Sequence, residues 1–407
     1  MAMTGVEPAT ATRGAARDRL LDGIRGYAII LVLLSHTWIV AGAERVDGWS
    51  GIKWLMSSGD YAVTIFFVVS GFLATRGMLR ELDRTGRFRP GVAWLRRWIR
   101  ISAHVYTLVL VVLVLTAVNW NMLVAYQNTN TRASAFHIVT YTWNGYVRDN
   151  ALAARPDLGH LWYVCTDLWV IGLILLLVFL LGRWRPALLA ALVLALLIVM
   201  VYRGHVYNTQ GEWNALISLQ TRADGLIWGA LAAVVLPYLQ AYQHTLQRYA
   251  GAVLVAASAL LVPLLGAVVD PSGYFGLGGW LLNIDMFVWV LAATLAVRPP
   301  TVLTYTIGLP PLAVAGRYSL VLYIWHYPLF WYLSKDEMGL RWWQLTLLAY
   351  ALTLVLATAA QLLIERRTQR WLRSEKWQAL DRGIGPALLE AAKRGRDEVR
   401  ERVSVGR

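Results

Sequence analysis

Apolar positions in this chain fall into ten separate runs, each near the length that crosses a bilayer. They do not form the stripes of amphipathic surface helices. A span needs about 20 mostly apolar residues. The runs are Gly23–Val40, Ala62–Leu79, Ile99–Val118, Leu161–Leu181 and Ala187–Tyr202. They continue with Leu216–Leu239, Ala250–Val269, Trp280–Val297, Tyr318–Leu333 and Leu345–Ile364. Lipid offers backbone groups no hydrogen bonds, so each run is expected to close its own bonds as an α-helix. The fold class that follows is all-α, a polytopic membrane bundle of about ten transmembrane helices. The sixth run is interrupted by Arg222 and Asp224.

The polar connections set the orientation. With the N-terminus on the cytoplasmic side, inside segments hold Arg13, Arg17, Arg19, Arg80, Arg84, Arg87, Arg89, Arg96, Arg97 and Arg100. Arg183, Arg185, Arg248, Arg298, Arg317 and the basic tail fall on the same side. Outside segments keep Arg45, Lys53, Arg132, Arg148, Arg155, Arg203, Lys335 and Arg341. Basic residues favour the cytoplasmic side, so an even number of spans with both termini cytoplasmic is expected. Three regions result: a disordered cytoplasmic N-terminus over 1–20, a transmembrane domain over 21–366, and a charged cytoplasmic tail over 367–407.

The net charge of +14 would by itself suggest nucleic acid. The charges lie in connections and tail, however, and no soluble domain presents a basic face, so no nucleic-acid partner is expected. The single cysteine, Cys165, excludes an internal disulfide and a cysteine metal site. No HExxH, Walker loop or GxSxG elbow occurs, and no metal is expected. The N-terminus lacks the cleavage pattern of a signal peptide. The longest outside segment, about Asn119 to Gly159, mixes Trp and Tyr with amides. Such rings suit sugar faces, and equally the membrane boundary.

An ionisable side chain inside a span is costly and marks a functional candidate. Arg25 and His36 share the first run, eleven residues apart. That is about three helical turns and about 16 Å of rise, so both lie near one face. The pair can hold an anion at one end and move a proton deeper in the bilayer. A snorkelling Arg with a structural His is the alternative. Asp22 is placed to pair with Arg25 or to cap the helix. Arg97 and Arg100 fall on one face at the start of the third run, as topological anchors or as a phosphate clamp. His160 and Asp167 share a face of the fourth run, and a buried Asp167 needs a partner. It could orient His36 or bind an acceptor hydroxyl. Arg222 and Asp224 interrupt the sixth run, where Arg222 pairs with Asp167 or serves a substrate. His326 stands two residues before Pro328 in the ninth run, and Asp285 lies near the outer end of the eighth.

These segments resemble, in order, the acyltransferase-3 family of membrane proteins. RLLDGIRGYAIILVLLSH is similar to its opening, with Arg25 and His36 as basic residue and histidine. FFVVSGFLATR gives Phe66, Phe67, Ser70, Gly71 and Phe72, and LRRWIRI gives Arg97 and Arg100. HLWYV gives His160 and Trp162, and TRADGLIWGALAA gives Arg222, Asp224 and Gly229. GRYSLVLYIWHYP gives Tyr318, Ser319, Tyr323, His326 and Pro328, and IERR ends the match. The family's paired glutamates after His-Leu-Trp are here Asp167 and Leu168, which leaves one carboxylate for any role of that pair.

The resemblance implies O-acyl transfer from cytoplasmic acyl-coenzyme A to an extracytoplasmic or membrane-associated hydroxyl, often on a carbohydrate. It implies a bacterial plasma membrane as the location. On this reading His36 is the base or carries the acyl group, and Arg25 holds the phosphate region or the oxyanion. Arg97 and Arg100 bind coenzyme A phosphates. His160, Trp162, Asp167, Arg222, Asp224 and His326 serve the acceptor. An exporter of a glycan or small molecule is the competing class, and a lipid-linked glycosyltransferase would have only Asp149 and Asp157 as outer acids.

Overall fold

A computed structural model describes residues 7–43, 53–118, 129–334, 339–375 and 377–378. Among them helices and short connections account for the chain, with no β-strand. The first helices are α1 (Glu7–Ser35), α2 (Trp38–Ala41), α3 (Gly59–Thr85) and α4 (Pro90–Ala117). There follow α5 (Trp162–Leu181), α6 (Arg185–Gln210), α7 (Asp224–Gln240), α8 (Gln243–Ala267) and α9 (Leu277–Leu295). The last are α10 (Pro310–Arg317), α11 (Ser319–Leu333), α12 (Trp342–Ala360) and α13 (Arg366–Leu372). Eight described helical segments are long and apolar enough to cross a membrane, and α7 is apolar but shorter. The protein is an all-α polytopic membrane bundle. Much of the expected tail and the first residues lie outside the described residues, as do residues 119–128.

Helix α3 is the most enclosed of the spanning segments, while α6 and α12 turn most of their surface outward. Their exposed Leu194, Ile198, Val201, Leu347 and Val355 suit a lipid-facing surface. Helix α3 packs along α7, and α1 along α10. Both contacts rest on glycine. A Cβ on Gly316 would stand 1.7 Å from the Asp22 carbonyl oxygen, and one on Gly26 2.1 Å from that of Leu312. At the other crossing, Gly229 faces the Val68 carbonyl at 2.0 Å and Gly71 that of Leu226 at 2.1 Å. Helices without a hydrophobic drive between them associate by such close backbone approach. It brings α1, α3, α7, α10 and α11 around one interior.

Four details depart from the sequence-based expectation. The sixth run is not one helix: it breaks into Glu212–Ile217, a 3-10 turn at Gln220–Arg222, and α7. The break puts Asp224 in the first turn of α7, where a carboxylate is favoured. The first run ends as regular helix at Ser35, and His36 stands in the turn before α2, not in mid-helix. The segment near Asn119–Gly159 folds into helices at Thr131–Val139 and Trp143–Asp149 that bury Tyr141 and Trp143. Arg203, expected in a connection, lies within α6 and is fully buried.

Candidate active site

Two adjoining cavities open between α1, α3, α4, α5 and α11. The inner chamber, about 220 Å³, is lined by Arg25, Ser70, Arg97, Arg100, Tyr163, Asp167, Ser319 and Tyr323, with Phe66, Val69 and Leu73 as apolar wall. The outer vestibule, about 490 Å³, is lined by Arg25, Arg100, Arg317, Tyr318, Gln361 and Gln369. Arg25 and Arg100 line both, so the two adjoin. Arg25 donates from Nη2 to Ser319 Oγ at 2.9 Å and lies 3.5 Å from Asp22.

The chamber floor is an ion pair. Asp167 is buried in the second turn of α5, where a lone carboxylate could not stay charged. Arg97 grips it from α4: Nε donates to Oδ2 at 2.8 Å and Nη2 to Oδ1 at 2.6 Å. Ser70 on α3 donates to Oδ1 at 2.8 Å, and Arg97 Nη2 also donates to Ser70 Oγ at 2.6 Å. Three helices thus meet on one carboxylate. One turn further along α4, Arg100 Nε donates to Glu365 Oε1 at 2.5 Å. Buried His104 bonds Glu365 Oε2 at 3.0 Å, and Gln369 donates to Oε1 at 2.6 Å. Glu365 closes a π-turn, Gln361–Glu365, between α12 and α13. The wider turn aims Glu365 inward at Arg100 while Gln361 and Gln369 line the vestibule.

Beyond Tyr323 lie three imidazoles. The Tyr323 ring lines the chamber, and its centroid lies 5.4 Å from His160 and 5.8 Å from His326. Its hydroxyl donates to the His160 carbonyl at 2.7 Å. His326 Nε2 lies 3.1 Å from His36 Nδ1. His326 Nδ1 faces only carbonyl oxygens, those of Tyr323 at 2.8 Å and Leu322 at 3.1 Å. That nitrogen must therefore carry the hydrogen, which leaves the lone pair of a neutral ring on Nε2. His36 then donates from Nδ1, and its own lone pair sits on Nε2. His160 Nε2 likewise faces the Ile324 carbonyl at 3.1 Å, so its lone pair falls on Nδ1.

A fourth polar group is sealed between α5, α6, α7 and α9. Arg203 Nη1 donates to Asp224 Oδ2 at 2.5 Å, and Asn283 Nδ2 donates to the same oxygen at 3.1 Å. The Arg222 guanidinium lies over the rings of Tyr274 at 4.5 Å and Trp162 at 5.2 Å. Among the described residues no group of three His, Cys, Asp or Glu is arranged to hold a metal ion.

A cationic cavity walled by Tyr323, with paired imidazoles behind that ring, suits acyl transfer. Residues 18–366 match the model of the acyltransferase domain of the acyltransferase-3 class. The chain belongs to this family. Among curated relatives, the chain is 26% identical to O-acetyltransferase OatA of Staphylococcus aureus over 76% of its own length and 50% of the relative's. It is 26% identical to peptidoglycan O-acetyltransferase OatA of Listeria monocytogenes over 76% of its length and 49% of the relative's. The chain spans about half the length of these relatives. No solved structure matches it.

Within this member of the family the structure gathers Arg25, Arg97, Arg100 and Asp167 at the chamber, and His36, His160 and His326 behind Tyr323. It sets Trp162, Arg222 and Asp224 apart in the sealed group. Asp167 pairs with Arg97, not with Arg222 or His36, and Asp224 pairs with Arg203. Asp22 pairs with Arg25 as expected. Asp285 is buried on α9 with Oδ2 unbonded. The two outer acids are also engaged: Asp149 with Arg148, and buried Asp157 with Arg155. Sequence reasoning gave no role to Ser319, Glu365, His104 or Arg203. His104 was visible as an ionisable residue in the third apolar run. Ser319 and Glu365 stood only within matched motifs, and Arg203 just past the end of the fifth run.

Proposed function

We propose that this acyltransferase moves an acetyl or similarly short acyl group from acyl-coenzyme A to a hydroxyl of a carbohydrate or glycoside. The observation that carries the reading is the adjoining cationic vestibule and chamber, with Tyr323 in the chamber wall and the His36–His326 pair behind that ring. Coenzyme A is a polyanion, and Arg317, Arg100 and Arg25 offer its phosphates charge-assisted bonds along the vestibule wall. The apolar wall of the chamber accepts the pantetheine arm. Arg25 and His36 stand about 16 Å apart along α1, a span that an extended arm bridges. The names of the two OatA relatives support an acetyl group, and that of the Listeria protein supports a glycan acceptor.

The chemistry needs little beyond positioning and one base, because a thioester is already activated. His36 Nε2 takes the hydroxyl proton as the acceptor oxygen attacks the thioester carbon. The tetrahedral adduct collapses, the carbon–sulfur bond breaks, and the thiolate receives the proton from the imidazolium. His326 fixes the tautomer that leaves His36 Nε2 basic. Arg25 lines both cavities and steadies charge on the donor. The cytoplasmic side is assigned to the vestibule because its arginines and the basic connections fall on one face of the bundle.

The test uses purified protein in lipid nanodiscs with acetyl-coenzyme A. His36→Ala is expected to lose turnover by at least about 10²-fold, the scale of general-base catalysis, while retaining donor binding. Arg25→Ala is expected to weaken donor binding. Wild-type turnover by His36→Ala would overturn the mechanism, and no binding of acetyl-coenzyme A would overturn the donor.

A further inference from the structure

We propose that Trp38, Trp331 and Tyr327 form a stacking platform that holds a pyranose ring of the acceptor beside His36. The inference rests on the reading of His36 as the reacting base and adds where the sugar lies.

The rings make one connected surface. His36 and Tyr327 meet edge to face with centroids 4.7 Å apart. Tyr327 continues to Trp331 at 6.3 Å, and Trp331 meets Trp38 edge to face at 5.9 Å. Trp38 is 39% exposed, and His36, Tyr327 and Trp331 are partly exposed. This surface lies past the end of α1, on the opposite side of Tyr323 from the chamber. Aromatic rings at a membrane boundary ordinarily anchor helices one at a time. Here they converge on the reacting imidazole.

The local fold holds the platform in place. Helix α2 has four residues, too short to be stable alone. It is fixed by a small apolar cluster separate from the main core: Ile39 and Val40 against Phe330, Leu333, Leu345 and Ala349. The Thr37 hydroxyl bonds the Tyr350 hydroxyl at 2.5 Å, pinning the turn to α12. This cluster keeps Trp38 against Trp331 and the turn of His36 against α11, and it contributes nothing to the chamber.

The chemistry points to a sugar. An aromatic face is electron-rich, and its edge is electron-poor. The axial C–H groups of a pyranose present a weakly positive apolar face that stacks on such rings, while equatorial hydroxyls point to the side. A ring stacked on the face of Trp331 or Tyr327, which meet at 66°, can aim one hydroxyl at His36.

The test is saturation-transfer NMR on the full chain in nanodiscs, without donor, using chitotetraose and maltotetraose as probes. Saturation of the axial ring protons is expected with at least one probe. Trp38→Ala and Trp331→Ala should each weaken binding about ten-fold, Trp38→Phe should restore much of it, and Trp184→Ala should leave it unchanged. In transfer assays the same alanine variants should raise acceptor KM with little change in acetyl-coenzyme A binding. Binding unchanged in both alanine variants, or no contact with either probe, overturns the platform. Failure of the donor reading looks different: acetyl-coenzyme A fails to bind while the saccharide signal and its dependence on Trp38 persist.

Discussion

Asp167 shows why single side chains in this protein carry so much stability. It is buried, and its charge is tolerable because Arg97 and Ser70 satisfy it. Arg97→Ala strips that partner and is expected to destabilise the fold by roughly 3 kcal/mol. Arg97→Met with Asp167→Leu should recover most of the loss, because no charge is then stranded. Thermal unfolding of the four corners of that cycle in detergent checks it. His326 behaves differently, since its task is to aim a proton. His326→Ala should cut kcat by about ten-fold or more, with donor KM little changed, because His36 loses an acceptor that helps hold its hydrogen on Nδ1. At this scale the sequence was informative wherever an ionisable residue interrupted an apolar run, as with His36, Arg25 and Asp167. It was silent on the pairings between distant helices. Arg25 bonds Ser319 across 294 residues, and Arg100 bonds Glu365 across 265. Such partners follow from helix order in space, which no local spacing encodes.

Among the elements, the glycine crossings and the π-turn set where the side chains meet. Gly26→Leu would drive a side chain into the α10 backbone, and overpacking of this kind costs about 1–3 kcal/mol. Gly77→Ala, where a Cβ meets nothing within 4 Å, should be neutral or stabilising by up to about 1 kcal/mol. Comparison of the two melting temperatures separates crowding from helix propensity. The π-turn makes its own prediction. Deleting Leu362 should restore a regular helix and rotate Glu365 away from Arg100 and His104. Donor KM should rise while the chain stays folded, as circular dichroism and binding of acetyl-coenzyme A would report. The helices themselves were readable from hydropathy because length and apolarity suffice in lipid. The break before α7 and the turn at His36 were not. Each is set by a charged or polar residue whose partner lies on another helix.

For the whole molecule, the basic connections predict one sidedness. Cysteine introduced for Arg87 or Arg183 should react with a membrane-impermeant maleimide only after permeabilisation, and cysteine for Arg148 should react in intact cells. Native Cys165 is buried and gives no background. Labelling of Arg87→Cys from outside would invert the topology. The arrangement behind that prediction has one more consequence, and it concerns Tyr323. Its ring stands between a wet, cationic chamber and imidazoles that reach toward the other end of the bundle. A cell's energy is stored as a proton gradient, and a row of histidines open at both ends would discharge it. Tyr323 is then a bulkhead as much as a wall of the site. Proteoliposomes holding Tyr323→Ala should dissipate an imposed pH difference faster than those holding the native chain.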